Sequence, residues 1–125
     1  EQQKPITPSV EARLHTEDPA AVIGENGLSG ECPTCAEAVA LFLSSYGAQA
    51  GNLALTVMAL GGVYIGGGIV TKLLPRLSTS DFLPAFLAKG RYHALMADIP
   101  VHVMLNPNTS QLGAAYAAKD LLHNT

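Results

Sequence analysis

Basic charge is in short supply in this sequence. Seven lysines and arginines stand against ten acidic residues in 125, a net charge of −3, with no run of like charges and no basic stripe. A nucleic-acid partner is therefore not expected, because phosphate backbones are held by clustered cations. Cysteine is scarcer still, at two, both in "CPTC". Two are too few for a disulfide framework, and no charged-then-apolar leader is recognisable, so a reducing, cytoplasmic setting is the expectation. Between Ala38 and Thr71 charge is absent altogether, over a length that could cross a bilayer. Glycine pairs and a triplet interrupt the second half of that stretch, which does not suit a spanning helix, and no membrane partner is expected.

What is present suffices for one packed domain, since 48% of the residues are hydrophobic. Thr7 before Pro8 and Asp18 before Pro19 each set a capping oxygen ahead of a first-turn proline, predicting two short helices. "GENGLSGE", residues 24 to 31, then reads as an exposed loop. Residues 33 to 59 read as one long helix with Ser45, Gln49, Asn52 and Thr56 on a single polar stripe. Its opposite face, Leu43, Gly47, Ala50, Gly51, Ala54 and Met58, is mostly small and predicts close packing. A short buried strand follows over 62 to 65, and then a helix over 69 to 77 that bends or ends near Pro75. "STSDFLPAFLAKG" predicts a capped helix that buries Phe82, Leu83, Phe86 and Leu87 and stops at Gly90. "RYHALMAD" adds a helical turn or two, residues 101 to 105 a second strand, "NPNTSQ" a turn and "LGAAYAAKDLL" a closing helix. Helices between the two strands make them parallel, through a right-handed crossover. The fold class is α/β, an incomplete parallel sheet flanked by helices, whose missing strands must come from elsewhere.

The residues that carry chemistry lie at the strand ends. "GGVYIGGGIVTKLL" places Gly66, Gly67 and Gly68 between strand and helix, where backbone amides stand free of side chains, an arrangement suited to a nucleotide or phosphate. Neither the G-x-x-x-x-G-K-[ST] nor the G-x-G-x-x-G fingerprint is matched, and close packing of helix on strand explains the triplet on composition alone. Asn106 and Asn108, with Thr109 and Ser110, follow the second strand at its C-terminal end, where ligands gather in open α/β sheets. The same residues also serve as turn and helix cap. "CPTC" has the spacing of a redox dithiol but no strand before it, and it lacks the second pair of ligands a zinc site needs, so it reads as two structural thiols with no metal. His15, His93, His102 and His123 are scattered.

Over residues 30 to 122, "GNLALTVMALGGVYIGGGIVTKLL" with "DIPVHVML" and "LGAAYAA" at the right distances resembles the C-terminal end of bacterial-type glucokinases, in the hexokinase and actin-like ATPase superfamily. "VYIGGGI" is similar to that superfamily's adenosine motif. The resemblance implies the C-terminal part of an actin-like ATPase (ribonuclease H-like) domain, with residues 31–125 in the nucleotide-binding lobe and residues 1–30 as surface helices and a loop. It implies phosphorylation of D-glucose by ATP with magnesium, in a homodimeric enzyme. Gly66 and Gly67 would let nucleotide approach the backbone, Gly68 would start the next helix, and Asn106 and Asn108 would line the adenine side. The family's catalytic aspartate, sugar ligands, magnesium ligands and phosphate loops have no match here. The chain is thus expected to be a fragment, inactive alone, whose partner is the upstream part of the same polypeptide. The alternative reading is a non-catalytic nucleotide- or partner-binding α/β module built on the same strand and turn.

Overall fold

The computed structural model describes residues 5–123; expectations for residues 1–4 and 124–125 lie outside the described residues. Its elements are α1 (Pro8–Leu14), α2 (Pro19–Ser29), α3 (Pro33–Thr56), β1 (Val63–Ile65), α4 (Gly68–Lys72), α5 (Leu74–Leu77), α6 (Phe82–Leu87), a 3-10 turn (Gly90–Tyr92), α7 (His93–Ala97), β2 (Val101–Val103) and α8 (Thr109–His123). The first three helices begin as their prolines dictate: Pro8, Pro19 and Pro33 occupy first-turn positions where no intrahelical N–H is required. Asp18 caps α2 by accepting from the Ala20 amide at 3.3 Å.

The expected loop over residues 24 to 31 is instead helix as far as Ser29, ended by Gly30 at φ 79°. Asn26 and Gly27 are the part of it that is buried. Asn26 is buried and donates from Nδ2 to the Val22 carbonyl at 2.7 Å, and a methyl group at Gly27 would lie 2.6 Å from Val39 Cγ2 and 2.8 Å from the Cys35 carbonyl oxygen. Composition reads such a segment as loop, whereas packing makes it helix.

Helix α3 carries the expected polar stripe outward and buries Leu43, Gly47, Ala50, Gly51 and Ala54. Met58 departs from the expectation: it is exposed, because α3 stops at Thr56. Met58 takes φ 51°, the Ala59 amide donates to the Ala54 carbonyl at 2.9 Å and the Met58 amide to Leu55 at 3.3 Å. That is a Schellman ending, and here the left-handed position holds methionine rather than glycine.

Further along the same buried face of α3 lies α6. A methyl group on Gly47 would collide with the Phe82 carbonyl, and one on Gly51 would sit 2.6 Å from the Phe86 carbonyl oxygen, so backbone meets backbone along this contact. Phe82 and Phe86 enter the core at 1% exposure each. Leu83, expected inside, is 45% exposed: a six-residue helix buries the i, i+4 pair and turns its neighbours outward. Its start is capped by Ser80, whose Oγ accepts from the Phe82 amide at 3.2 Å. Gly90 does not stop α6, which ends at Leu87; at φ 56° it opens the 3-10 turn.

The strands are parallel, pairing Val63 with Val101, Tyr64 with His102 and Ile65 with Val103. Both are shorter than expected, and β1 is buried on one side only: Ile65 is 5% exposed and Tyr64 64%. Tyr64 stacks on His102 across the strands, with ring centroids 4.9 Å apart. The helix after β1 breaks at Leu73 with Pro75 in the first turn of α5, as expected. The core gathers Leu43, Ala54, Ile65, Val70, Phe82, Phe86 and Met96.

Gly47→Ala in the intact protein is expected to lower the unfolding free energy by about 2 kcal/mol or more, since carbonyl backbone cannot yield as a side chain can. Gly113→Ala, at a helical position with nothing within 4 Å, should raise it by roughly 0.5 to 1 kcal/mol. Urea titration of both variants checks the pair.

Candidate functional site

Parallel pairing sends the chain out of β1 and β2 at the same end of the sheet, so the glycine triplet and the asparagine turn leave from one edge. The ladder continues one step further, with the Met104 amide donating to the Ile65 carbonyl at 2.8 Å. The three glycines then differ. A methyl group on Gly66 would lie 2.6 Å from Met104 Cε, so this glycine makes room for the residue following β2. Gly67 caps α4 at φ 111° and ψ 167°, a conformation that L side chains rarely adopt. Gly67 and Gly68 have nothing within 4 Å on the side where a Cβ would project. With glycine at the cap, no side chain accepts from the α4 first turn. Thr71 secures the turn from below, donating from Oγ1 to the Gly68 carbonyl at 3.0 Å.

Asn106 and Asn108 come to the same edge and are exposed. Asn106 Oδ1 accepts from the Asn108 amide at 2.9 Å, its carbonyl accepts from Thr109 Oγ1 at 2.7 Å, and the Asn108 carbonyl accepts from Leu112 N at 2.9 Å. The turn-and-cap role read from the sequence is thus what these contacts do.

Sequence reasoning missed a cavity of about 730 Å³ between α2, α3 and α4, lined by Ile23, Leu28, Val39, Phe42, Gly68 and Ile69, with Asp18, Glu25 and Lys72 as its charged members. Its size and mostly apolar wall suit a small organic ligand. Part of the α2 wall, Gly24, Glu25 and Leu28, comes from the segment that composition reads as loop, so the sequence alone does not close this cavity. Gly68 belongs to both features, which places the open backbone of the triplet on the cavity wall.

Other candidate chemistry stays apart. Cys32 and Cys35 are free and buried, and among the described residues no three His, Cys, Asp or Glu side chains group to hold a metal. No helix among them is long and apolar enough to cross a membrane.

A family model described as glucokinase matches residues 3–121. A glucokinase of Nostoc sp. is 46% identical over 106 residues, covering 85% of this chain and 31% of that protein. A glucokinase of Synechocystis sp. is 44% identical over 103 residues, 82% of this chain and 29% of the relative. The crystal structure of a glucokinase from an Antarctic psychrotroph superposes with a TM-score of 0.72 at 37% identity, over 85% of this chain and 32% of that one. The chain therefore spans about a third of the length of the relatives it matches.

Gly67→Ala is expected to cost about 1 to 3 kcal/mol of stability in the intact protein, because the residue must hold φ 111°. Gly68→Ala, in open space at an ordinary helical φ, should be neutral or slightly stabilising. Thermal unfolding followed by circular dichroism separates the two.

Proposed function

The chain belongs to the glucokinase family, and from that premise we propose that the intact protein phosphorylates D-glucose to glucose 6-phosphate with ATP, this chain supplying the adenosine-binding end of the nucleotide lobe. In this reading the α/β layer is the C-terminal part of an actin-like ATPase (ribonuclease H-like) domain. Residues 31–125 lie in the nucleotide lobe and residues 1–30 on its surface. Upstream residues supply the remaining strands, the catalytic base, the sugar ligands and the groups that hold magnesium. A homodimer and a cytoplasmic setting belong to the same reading.

The observation that carries it is the open backbone at Gly68, directly after the equally open Gly67, on the wall of an apolar cavity of about 730 Å³. Adenosine is a flat apolar base on a polar sugar. The base fits among Ile23, Phe42 and Ile69, while the ribose and first phosphate approach the glycines, where no side chain intervenes. The α4 first turn offers uncapped amides to that anionic end, and Lys72, four residues on, adds a positive charge to the same cavity. Asn106 and Asn108, held in their turn at the same end of the sheet, do not line this cavity, and in this reading they serve as the turn that follows β2. Phosphoryl transfer is largely positioning and charge stabilisation. What this chain adds is the position of the nucleotide, fixed by a turn that cannot move without breaking the β1–α4 connection.

Gly68→Val is the clean test, because its side chain would enter open space rather than the protein. Calorimetric titration of the intact enzyme should show affinity for a non-hydrolysable ATP analogue falling by roughly tenfold or more, about 1.4 kcal/mol, with glucose affinity essentially unchanged. Undiminished nucleotide affinity, or equal loss of both ligands, would remove the triplet from the nucleotide site.

A further inference from the structure

"CPTC" is left without a task by the nucleotide reading. Cys32 is the N-cap of α3 and Cys35 its third residue, so both sulfurs fall on the first turn of a 24-residue helix. They are buried in a small cluster with Val10 of α1 and Val22 of α2. The Cys35 amide donates to Cys32 Sγ at 3.3 Å. An amide donor on a sulfur at the positive end of a helix stabilises a thiolate.

The two thiols are correspondingly unlike. The Cys35 thiol, and then the amides of Cys35, Thr7 and Thr34, hold Cys32 below the ordinary thiol range against the opposing effect of burial. Burial, followed by the adjacent Cys32 sulfur, pushes Cys35 up to about 11. Attacking and resolving thiols differ in this sense.

Helix α1 lies over the pair through Val10 in its first turn, with Leu14 packed against the same cluster. Its fastenings are modest: Arg13 Nη2 donates to Glu25 Oε2 of α2 at 2.8 Å, while Thr7 Oγ1 to the Glu31 carbonyl and Thr34 Oγ1 to the Pro5 carbonyl are long, at 3.4 and 3.5 Å. Exposed ion pairs of this kind contribute little, so local opening of α1 lies at the low end of the molecule's stability range.

We propose that Cys32 and Cys35 form a reversible dithiol–disulfide couple that reacts with low-molecular-weight disulfides when α1 lifts, Cys32 being the attacking sulfur. The Cys32 thiolate attacks one sulfur of glutathione disulfide, forming a mixed disulfide and releasing one glutathione thiolate. Cys35 gives its proton to that thiolate or to water and attacks the Cys32 sulfur, closing the Cys32–Cys35 bond and expelling the second glutathione. Two protein thiols are oxidised to one disulfide, and one glutathione disulfide is reduced to two thiols.

The test uses the intact protein under native conditions with glutathione disulfide, alkylation of remaining thiols, and peptide mapping by mass spectrometry. The expected product is a peptide with Cys32 joined to Cys35, reverted by dithiothreitol. Cys35→Ser should accumulate glutathione on Cys32, and Cys32→Ser should leave Cys35 unmodified. Arg13→Ala, and independently Glu25→Gln, should speed oxidation by roughly two- to fivefold through easier opening of α1, with circular dichroism reporting that each variant is folded. Reaction only after unfolding in urea, or modification of Cys35 in preference to Cys32, would overturn the couple. Folded Arg13→Ala and Glu25→Gln proteins that both oxidise at the parental rate would overturn the role of α1.

Discussion

Close approach of backbone to helix α3 is the constraint on which the rest depends. At Gly27 of α2 and at Gly47 and Gly51 of α3, one helix reaches another with no side chain between them. A 24-residue helix extends about 36 Å, so α3 is a rod against which α2 and α6 are set at fixed depth. The depth matters because Phe82 and Phe86 fill the core only if α6 lies this close, and the core they fill carries Ile65 and Val70 on either side of the glycine turn. Lys89 reinforces the register, its Nζ donating to the Ala48 carbonyl at 2.9 Å and to Asn52 Oδ1 at 2.7 Å. The position of the candidate site is thus inherited from glycines that lie outside it.

Features written in a few adjacent residues were legible in the sequence. The Pro8, Pro19 and Pro33 starts, the polar stripe of α3, the break near Pro75 and the parallel strands all follow from local chemistry or from connection rules. The misreadings share a different cause. Asn26 and Gly27 are helical because α3 is there to receive them, and Met58 leaves the buried stripe because the helix ends in a left-handed residue that composition does not announce. Leu83 faces outward because α6 has only one inward turn to offer. The cavity was invisible for the same reason, as its walls come from residues 18–28, 38–42 and 68–73, which only the packing of α2 on α3 brings together. The glycine triplet, being a contiguous signal, was legible. The resemblance, carried by residues 30 to 122, understated its reach, for the family match begins at residue 3.

Much apolar surface stays in water. Leu53, Val57, Leu60, Tyr64, Leu105 and Tyr116 are each more than half exposed, α8 buries nothing, and the sheet has two strands among the described residues. Contiguous apolar surface of this kind belongs against other protein. The exposed residues sit at the C-terminal end of α3, on and beside the strands and on α8, while the α3 face that carries α2 and α6 is buried. The chain is therefore finished on one side of its long helix and open on the other.

The Tyr64–His102 stack has an optical consequence. The sequence contains no tryptophan and four tyrosines, so near-ultraviolet emission from these residues is tyrosine emission, and one of the four emitters lies against an imidazole of the neighbouring strand. The joining of β1 to β2 is therefore reported by light from a residue that belongs to the pairing itself, and the fluorophore needs no engineering.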